Sequence, residues 1–340
     1  MSQLTRCFLA LLLSVSFCSA AFADHPVKHN VGIVWASPKD FKLTLDIHVP
    51  QTESTKPKPV LVIFHGGGFL LNSKSIMTDL ATSIASRTDI ITVNVNYRLL
   101  ADVDNTTTIN EIVEDAMGAV LWVKDNIKQY GGDPTKVAVT GDSAGGHLAS
   151  MVTLAGRNLD SDGFAKKPLG FKPTYLPQGM TAEQVARKDG LKVQATILSY
   201  TAFSLVGMAE NGFEKEGPMW KWAHAKARGL FGDNINVKDN RDYYLAMSPD
   251  QYLVSAKQYK LPPQFVHVGD QDQATKPEFS EKYVEQLKSL GQSVRLKIYP
   301  GKKHGFLDSG CNDYNQGCFD DLSKPTVDDM VAFLNEVFGL

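Results

Sequence analysis

Ser143 stands in the run Gly141-Asp142-Ser143-Ala144-Gly145-Gly146, and its neighbours make it the first candidate for chemistry in this chain. The stretch before it, Lys136-Val137-Ala138-Val139-Thr140, alternates and is rich in β-branched residues, so it reads as a strand. His147 to Leu154 reads as a helix. A serine at a sharp strand-to-helix turn presents its hydroxyl at the rim of a sheet, and only small flanking residues fit there. The spacing is that of a G-x-S-x-G nucleophile elbow. A second cluster lies upstream, where the apolar run Pro59 to Phe64 ends in His65-Gly66-Gly67-Gly68-Phe69. Without Cβ atoms, glycines after a buried strand leave backbone N–H groups free to face a cavity. An isolated triplet reads equally as a flexible turn. Upstream of a serine elbow it reads as an oxyanion hole, in which the Gly67 and Gly68 N–H groups are joined by that of Ala144.

A serine oxygen is a poor nucleophile at neutral pH and needs a base, usually a histidine held by a carboxylate. Around such an elbow the chain order is serine, acid, histidine. Two histidines, His267 and His304, lie well beyond Ser143 in strand and loop contexts, while His224 falls in an irregular stretch. His267 sits inside an apolar strand and reads as a core histidine. His304 lies in a Gly/Lys-rich loop past the last strand and precedes Gly305-Phe306, so its ring can swing over the sheet edge; it is the expected base. His65 and His147 belong to the two motifs and are expected to orient backbone. Asp270 and Asp272, in the turn Gly269-Asp270-Gln271-Asp272, are the candidate acids. Asp142 reads as a support for the elbow, and Arg98 with Asp115 as a buried ion pair tying strand to helix.

Elements that alternate must position these groups. Phe41 to Val49 alternates strictly and reads as a half-exposed antiparallel strand. Further strands are expected over 59–64, 90–95, 136–140, 193–198, 264–268 and 294–299. Helices are expected over 76–87, 109–130, 277–290 and 326–338, with Gly131-Gly132-Asp133-Pro134 stopping the second before the elbow strand. Strands alternating with helices predict one parallel sheet with helices on both faces. Residues 24–340 are read as a single domain, with excursions near 157–190 and 200–250. Substrate choice is expected in those excursions. Phe213, Trp220, Trp222, Phe231, Tyr243 and Tyr244 could wall a pocket there, although the same spacing fits plain core packing.

On His65 to Phe69, Asn96-Tyr97-Arg98-Leu99, Gly141 to Leu148, Ser248-Pro249, Gly269 to Asp272 and His304-Gly305-Phe306, the chain resembles the α/β-hydrolases of the hormone-sensitive-lipase-like carboxylesterase group, including feruloyl-esterase-like relatives. The resemblance implies an α/β fold with a mostly parallel eight-stranded sheet, helices on both faces, and insertions forming a cap or pocket wall. It implies Ser143 as nucleophile and His304 as base. It also implies an acid at the last position of a Gly-x-x-Asp turn, here Asp272. Gln273-Ala274-Thr275 departs from the Pro-Leu pair usual in that group, so Asp270 stays open as a competitor. The implied activity is hydrolysis of short-chain, acetyl or aryl esters through an acyl-enzyme, without a cofactor or metal. Acetylated or feruloylated carbohydrate as natural substrate rests on the resemblance alone. An amide or formamide hydrolase with the same triad is an alternative reading, and a non-catalytic ligand-binding protein of the same fold is another.

Composition narrows the remaining choices. Among 340 residues, 35 Lys and Arg stand against 37 Asp and Glu, which gives no basis for a nucleic-acid or anionic-membrane partner. The small-molecule ester is the expected partner, and oligomeric state is not legible. Arg6, the apolar stretch Cys7 to Phe17 and Ala21-Phe22-Ala23 form an expected signal peptide over residues 1–23, cleaved before Asp24. That stretch is short for a membrane span, so no stable membrane insertion is expected. A lipoprotein reading at Cys18 is disfavoured by the bulky Phe17 before it. Export to the periplasm or medium is therefore expected, and Cys311 with Cys318 should form a disulfide there. Metal binding by that pair would need histidines at ligand spacing, which are missing nearby.

Overall fold

Seven strand-forming runs and one that the sequence pattern does not announce make up a single eight-stranded sheet. The structure is a computed structural model and describes residues 24–340; the expected signal peptide lies outside the described residues. The strands are β1 (Val27–Ala36), β2 (Leu43–Pro50), β3 (Lys58–Phe64), β4 (Ile91–Val95), β5 (Gly132–Asp142), β6 (Ala195–Ser199), β7 (Gln264–Gly269) and β8 (Val294–Tyr299). Their order is β1-β2-β4-β3-β5-β6-β7-β8. β2 runs antiparallel to β1 and β4, and β3 to β8 pair in parallel. Every residue of β3 and β7 is buried, as strands covered on both faces require.

Five long helices cover the sheet: α1 (Thr78–Arg87), α2 (Ile109–Asn126), α3 (Ala144–Ala155), α4 (Pro277–Ser289) and α5 (Phe319–Phe338). The period of two in β3 sends alternate side chains to opposite layers. Val60, Val62 and Phe64 pack with Ile112, Ala116 and Val120 of α2 and Leu148 of α3. Leu61 and Ile63 pack with Leu80 and Ile84 of α1 and Val331 and Leu334 of α5. Each such fully buried Leu, Ile or Val contributes about 1.5–3 kcal/mol. Arg98, between β4 and α2, donates from Nε to Asp115 Oδ2 at 2.8 Å and from Nη2 to Oδ1 at 2.7 Å, forming the buried ion pair expected from sequence. Among the described residues no helix is long and apolar enough to cross a membrane.

Four features differ from the sequence expectation. The strand read as half-exposed, β2, is almost wholly buried, because its polar positions find partners: Lys74 Nζ reaches Asp46 Oδ2 at 2.6 Å, and His48 Nδ1 lies 2.7 Å from His29 Nδ1 on β1. β1 lies outside the strands expected from sequence, since its burial follows no clean alternation. β5 starts at Gly132, inside the tetrapeptide read as a stop, because Lys58 and Gly132 pair across the ladder before a register shift. α5 starts at Phe319, ahead of the expected Thr326, and continues through Pro325.

The two excursions have different destinations. Residues 157–190 fold against α2: Lys172 N–H donates to Glu114 Oε1 at 3.1 Å, and the Thr174 hydroxyl donates to Asp115. Residues 200–250 carry the short helices Leu205–Glu210, Pro218–Trp222 and Arg241–Ala246. They are tied down by Trp220 Nε1–H to Phe213 O at 2.7 Å and by the Arg228 guanidinium to Leu100 O at 2.6 Å. A hairpin of β9 (Cys311–Asn312) and β10 (Gly317–Cys318) precedes α5, and the disulfide Cys311–Cys318 closes it.

Candidate active site

Ser143 occupies the single residue between β5 and α3, with φ 52° and ψ −115°. A non-glycine residue in that region is strained, and the surroundings must hold it there. Its N–H donates to Ser199 O on β6 at 2.9 Å. The turn is also tight: a Cβ on Gly145 would stand 2.0 Å from Phe64 O at the end of β3, so no larger residue fits without moving a strand. The hydroxyl is thereby pushed above the C-terminal edge of the sheet.

His304 and Asp272 arrive from the loops after β8 and β7. His304 Nε2 lies 2.9 Å from Ser143 Oγ, and His304 Nδ1 lies 2.7 Å from Asp272 Oδ2. Asp272 is fully buried. Its Oδ1 accepts from the Ala274 and Thr275 N–H groups, both at 2.8 Å, and its Oδ2 is 3.0 Å from the Thr275 hydroxyl. Burial pushes this carboxyl up, but the bond and charge of His304 and the Thr275 donors outweigh it and hold Asp272 below its ordinary value. An ionised acceptor at Nδ1 fixes the tautomer that leaves Nε2 free to accept the serine proton. Asp270, the competing acid, is exposed; it accepts from Gly301 N–H at 2.7 Å and does not reach His304.

The three residues expected to supply amide donors line one cavity. Gly67 and Gly68 have φ of 116° and 60°, conformations that favour glycine. Their N–H groups and that of Ala144 meet no protein acceptor among the described residues, and all three residues line the cavity over Ser143.

The other histidines do different work. His267 is fully buried on β7, with Nε2 2.9 Å from Ser199 Oγ, and burial pushes it down to about 3. His65 donates from Nδ1 to Gly66 O at 2.7 Å and stacks on Tyr97 at 4.3 Å. His147 donates from Nδ1 to Ala202 O at 3.0 Å. Burial drives His65 and His147 each down to about 4, so both are neutral orienting groups at pH 7. Asp142 is buried beneath the elbow; burial and the nearby Asp308 hold its carboxyl well above the usual range. Asp308, which no motif flagged, lines the cavity, and burial raises it to about 6 against the opposing pull of His304.

The cavity over Ser143 measures about 880 Å³ and is walled by Met208, Phe213, Met219, Trp220, Phe279 and Tyr283. Of the aromatics singled out in sequence, Phe213 and Trp220 reach it. Phe231 and Tyr243 pack instead around Phe164, Tyr244 packs on Phe231, and Trp222 is 65% exposed. The 157–190 excursion contributes no lining residue, so of the two only the second faces the site. Among the described residues no group of three or more His, Cys, Asp or Glu side chains is arranged to hold a metal.

Residues 45–287 match the BD-FAE family model. The chain belongs to the BD-FAE family. That match spans Ser143 and Asp272 and ends before His304. Similar curated proteins include the probable isoprenylcysteine alpha-carbonyl methylesterase ICMEL1 of Arabidopsis thaliana, 23% identical over 87% of this chain. Another is the carboxylesterase NlhH of Mycobacterium tuberculosis, 24% identical over 74% of this chain and 67% of its own length. This BD-FAE chain spans only 55% of ICMEL1, a little over half of that relative. In structure it resembles the thermophilic esterase Est2 of Thermogutta terrifontis, with a TM-score of 0.63 and 20% identity over 93% of this chain and 94% of that one. The likeness shows the fold, an α/β-hydrolase sheet, as the sequence resemblance implied.

Proposed function

We propose that this BD-FAE protein is a serine carboxylic ester hydrolase working through an acyl-enzyme. The observation that carries the reading is the unbroken relay from Ser143 Oγ to His304 Nε2 at 2.9 Å and from His304 Nδ1 to Asp272 Oδ2 at 2.7 Å. His304 takes the hydroxyl proton as Ser143 Oγ attacks the ester carbonyl. The Gly67, Gly68 and Ala144 N–H groups receive the oxyanion, each donor contributing about 3–4 kcal/mol in the transition state. Asp272 stays ionised and balances the imidazolium. The C–O bond to the alcohol then breaks, and the alcohol leaves with the proton from Nε2. Water, deprotonated by the same nitrogen, attacks the acyl carbon and releases the acid, restoring Ser143.

The fit is to short-chain, acetyl or aryl esters. Met219 supports this: its terminal methyl stands 2.6 Å from where a Cβ on Gly68 would be, so it fills the space beside that glycine. The apolar and aromatic wall of Phe213 and Trp220 supports an aryl group as well. Export after cleavage near Ala23 is part of the same proposal, and the Cys311–Cys318 bond favours an oxidising compartment.

Ser143→Ala is expected to abolish hydrolysis of p-nitrophenyl acetate and labelling by a fluorophosphonate probe. Activity should fall as the acyl chain of p-nitrophenyl esters lengthens from two to twelve carbons. Substantial turnover by the alanine variant would refute the mechanism, and a rate rising through the long chains would refute the substrate class.

A further inference from the structure

The loop that carries His304 is anchored along most of its length to the body of the protein. Leu307 N–H donates to Tyr200 Oη at 3.3 Å, Ser309 N–H to Ile76 O at 2.8 Å, and Gly310 N–H to Asp79 Oδ2 at 2.8 Å. All of these lie beyond Phe306. On the peptide of His304 itself, the bond among the described residues comes from elsewhere: Asn315 Nδ2–H donates to His304 O at 3.1 Å. Asn315 belongs to the tip of the β9–β10 hairpin. Its own N–H donates to Asn312 Oδ1 at 2.7 Å, and the neighbouring Lys303 Nζ donates to Tyr314 O at 3.1 Å. Cys311 and Cys318 face each other across that hairpin and are covalently joined.

This matters because the next residue, Gly305, has φ 74° and lies beside the hairpin tip, with Asn315 Nδ2 3.7 Å from where its Cβ would be. A glycine there lets the preceding peptide turn freely about its Cα. Rotation of that peptide swings the imidazole, and an error of about 1 Å at a proton-transfer contact costs as much as a hundredfold in rate. We propose that Asn315 is a positioning residue for the general base, and that the disulfide-closed hairpin is the mount that holds its amide against the His304 carbonyl. The inference rests on the hydrolase reading of the site. A two-stranded hairpin this short is marginal alone, so its shape depends on the covalent closure.

The test uses the full exported protein. Asn315→Ala is expected to lower kcat on p-nitrophenyl acetate about tenfold with KM within twofold, and to slow fluorophosphonate labelling by the same factor. Asn315→Asp, equal in size but without the donor, should fall at least as far, whereas Asn315→Gln should recover much of the loss. Reducing the disulfide should lower kcat in the wild type and have little further effect in Asn315→Ala. Unchanged kcat in the alanine or aspartate variant would overturn the inference, as would a reduction penalty equally large with and without Asn315. A wild type that the fluorophosphonate never labels would instead overturn the hydrolase reading and the inference with it.

Discussion

On the hydrolase reading proposed above, replacing Asp272 by asparagine should abolish most activity without unfolding the protein, and the geometry fixes why. Two backbone N–H groups, of Ala274 and Thr275, converge on Oδ1 at 2.8 Å each. An asparagine must keep its carbonyl oxygen there, since turning its NH2 toward two donors would leave buried groups unsatisfied at about 1–3 kcal/mol. Its NH2 then occupies the Oδ2 position, 2.7 Å from His304 Nδ1. A donor at that place forces Nδ1 to accept, which moves the ring proton to Nε2, facing Ser143. The imidazole cannot then take the serine proton. The expected loss in kcat is about 10⁴-fold, equivalent to about 5.5 kcal/mol of transition-state stabilisation. Initial rates on p-nitrophenyl acetate measure it, with thermal unfolding as the check on fold. Asp270→Asn, which touches only the Gly301 N–H, should stay within about threefold of wild type. An Asp272→Asn variant within tenfold of wild type would refute the tautomer argument.

Two further expectations concern stability. Arg98→Met leaves Asp115 buried without its bidentate partner and should cost about 3–5 kcal/mol in denaturant unfolding; a loss under 1 kcal/mol would show that the pair is dispensable. Asp308 has a folded value raised to about 6 by burial, so the fold favours its protonated form. Its stabilising share is complete below about pH 4 and is lost as pH rises through 6. Asp308→Asn, neutral throughout, should therefore exceed the wild type at pH 8 by roughly 2 kcal/mol, allowing for partial access to the cavity, and match it at pH 4. Guanidinium titrations at the two pH values decide this; a gap that does not change with pH would contradict it.

The parts of the site that were legible in the sequence are those whose backbone demands a particular residue. Ser143 and its glycines announce a tight strand-to-helix turn, and Gly66-Gly67-Gly68 after a continuous apolar run reads as an oxyanion hole once that turn lies downstream. His304 was legible by elimination, because the alternative, His267, sits in a strand too apolar to reach solvent. Thr275 and Asn315 were not, since their contacts to Asp272 and His304 bridge loops whose approach is set by packing and not by any local pattern. The aromatics of 213–244 show the same limit: spacing alone does not say which of them face the cavity and which face Phe164. β1 went unseen for a related reason, as an edge strand exposes polar and apolar residues alike and leaves no period to read.

Ser143, Asp272 and His304 stand on a strand end and on loops after strands, whereas much of the surrounding wall comes from one stretch, residues 202–220, together with one face of α4. Nothing in that stretch touches Ser143, His304 or Asp272 through a hydrogen bond. On the hydrolase reading, reaction and selectivity are thus carried on separable parts of the fold. Grafting a different jaw onto the same anvil would change which molecules are gripped while the hammer stays as it is.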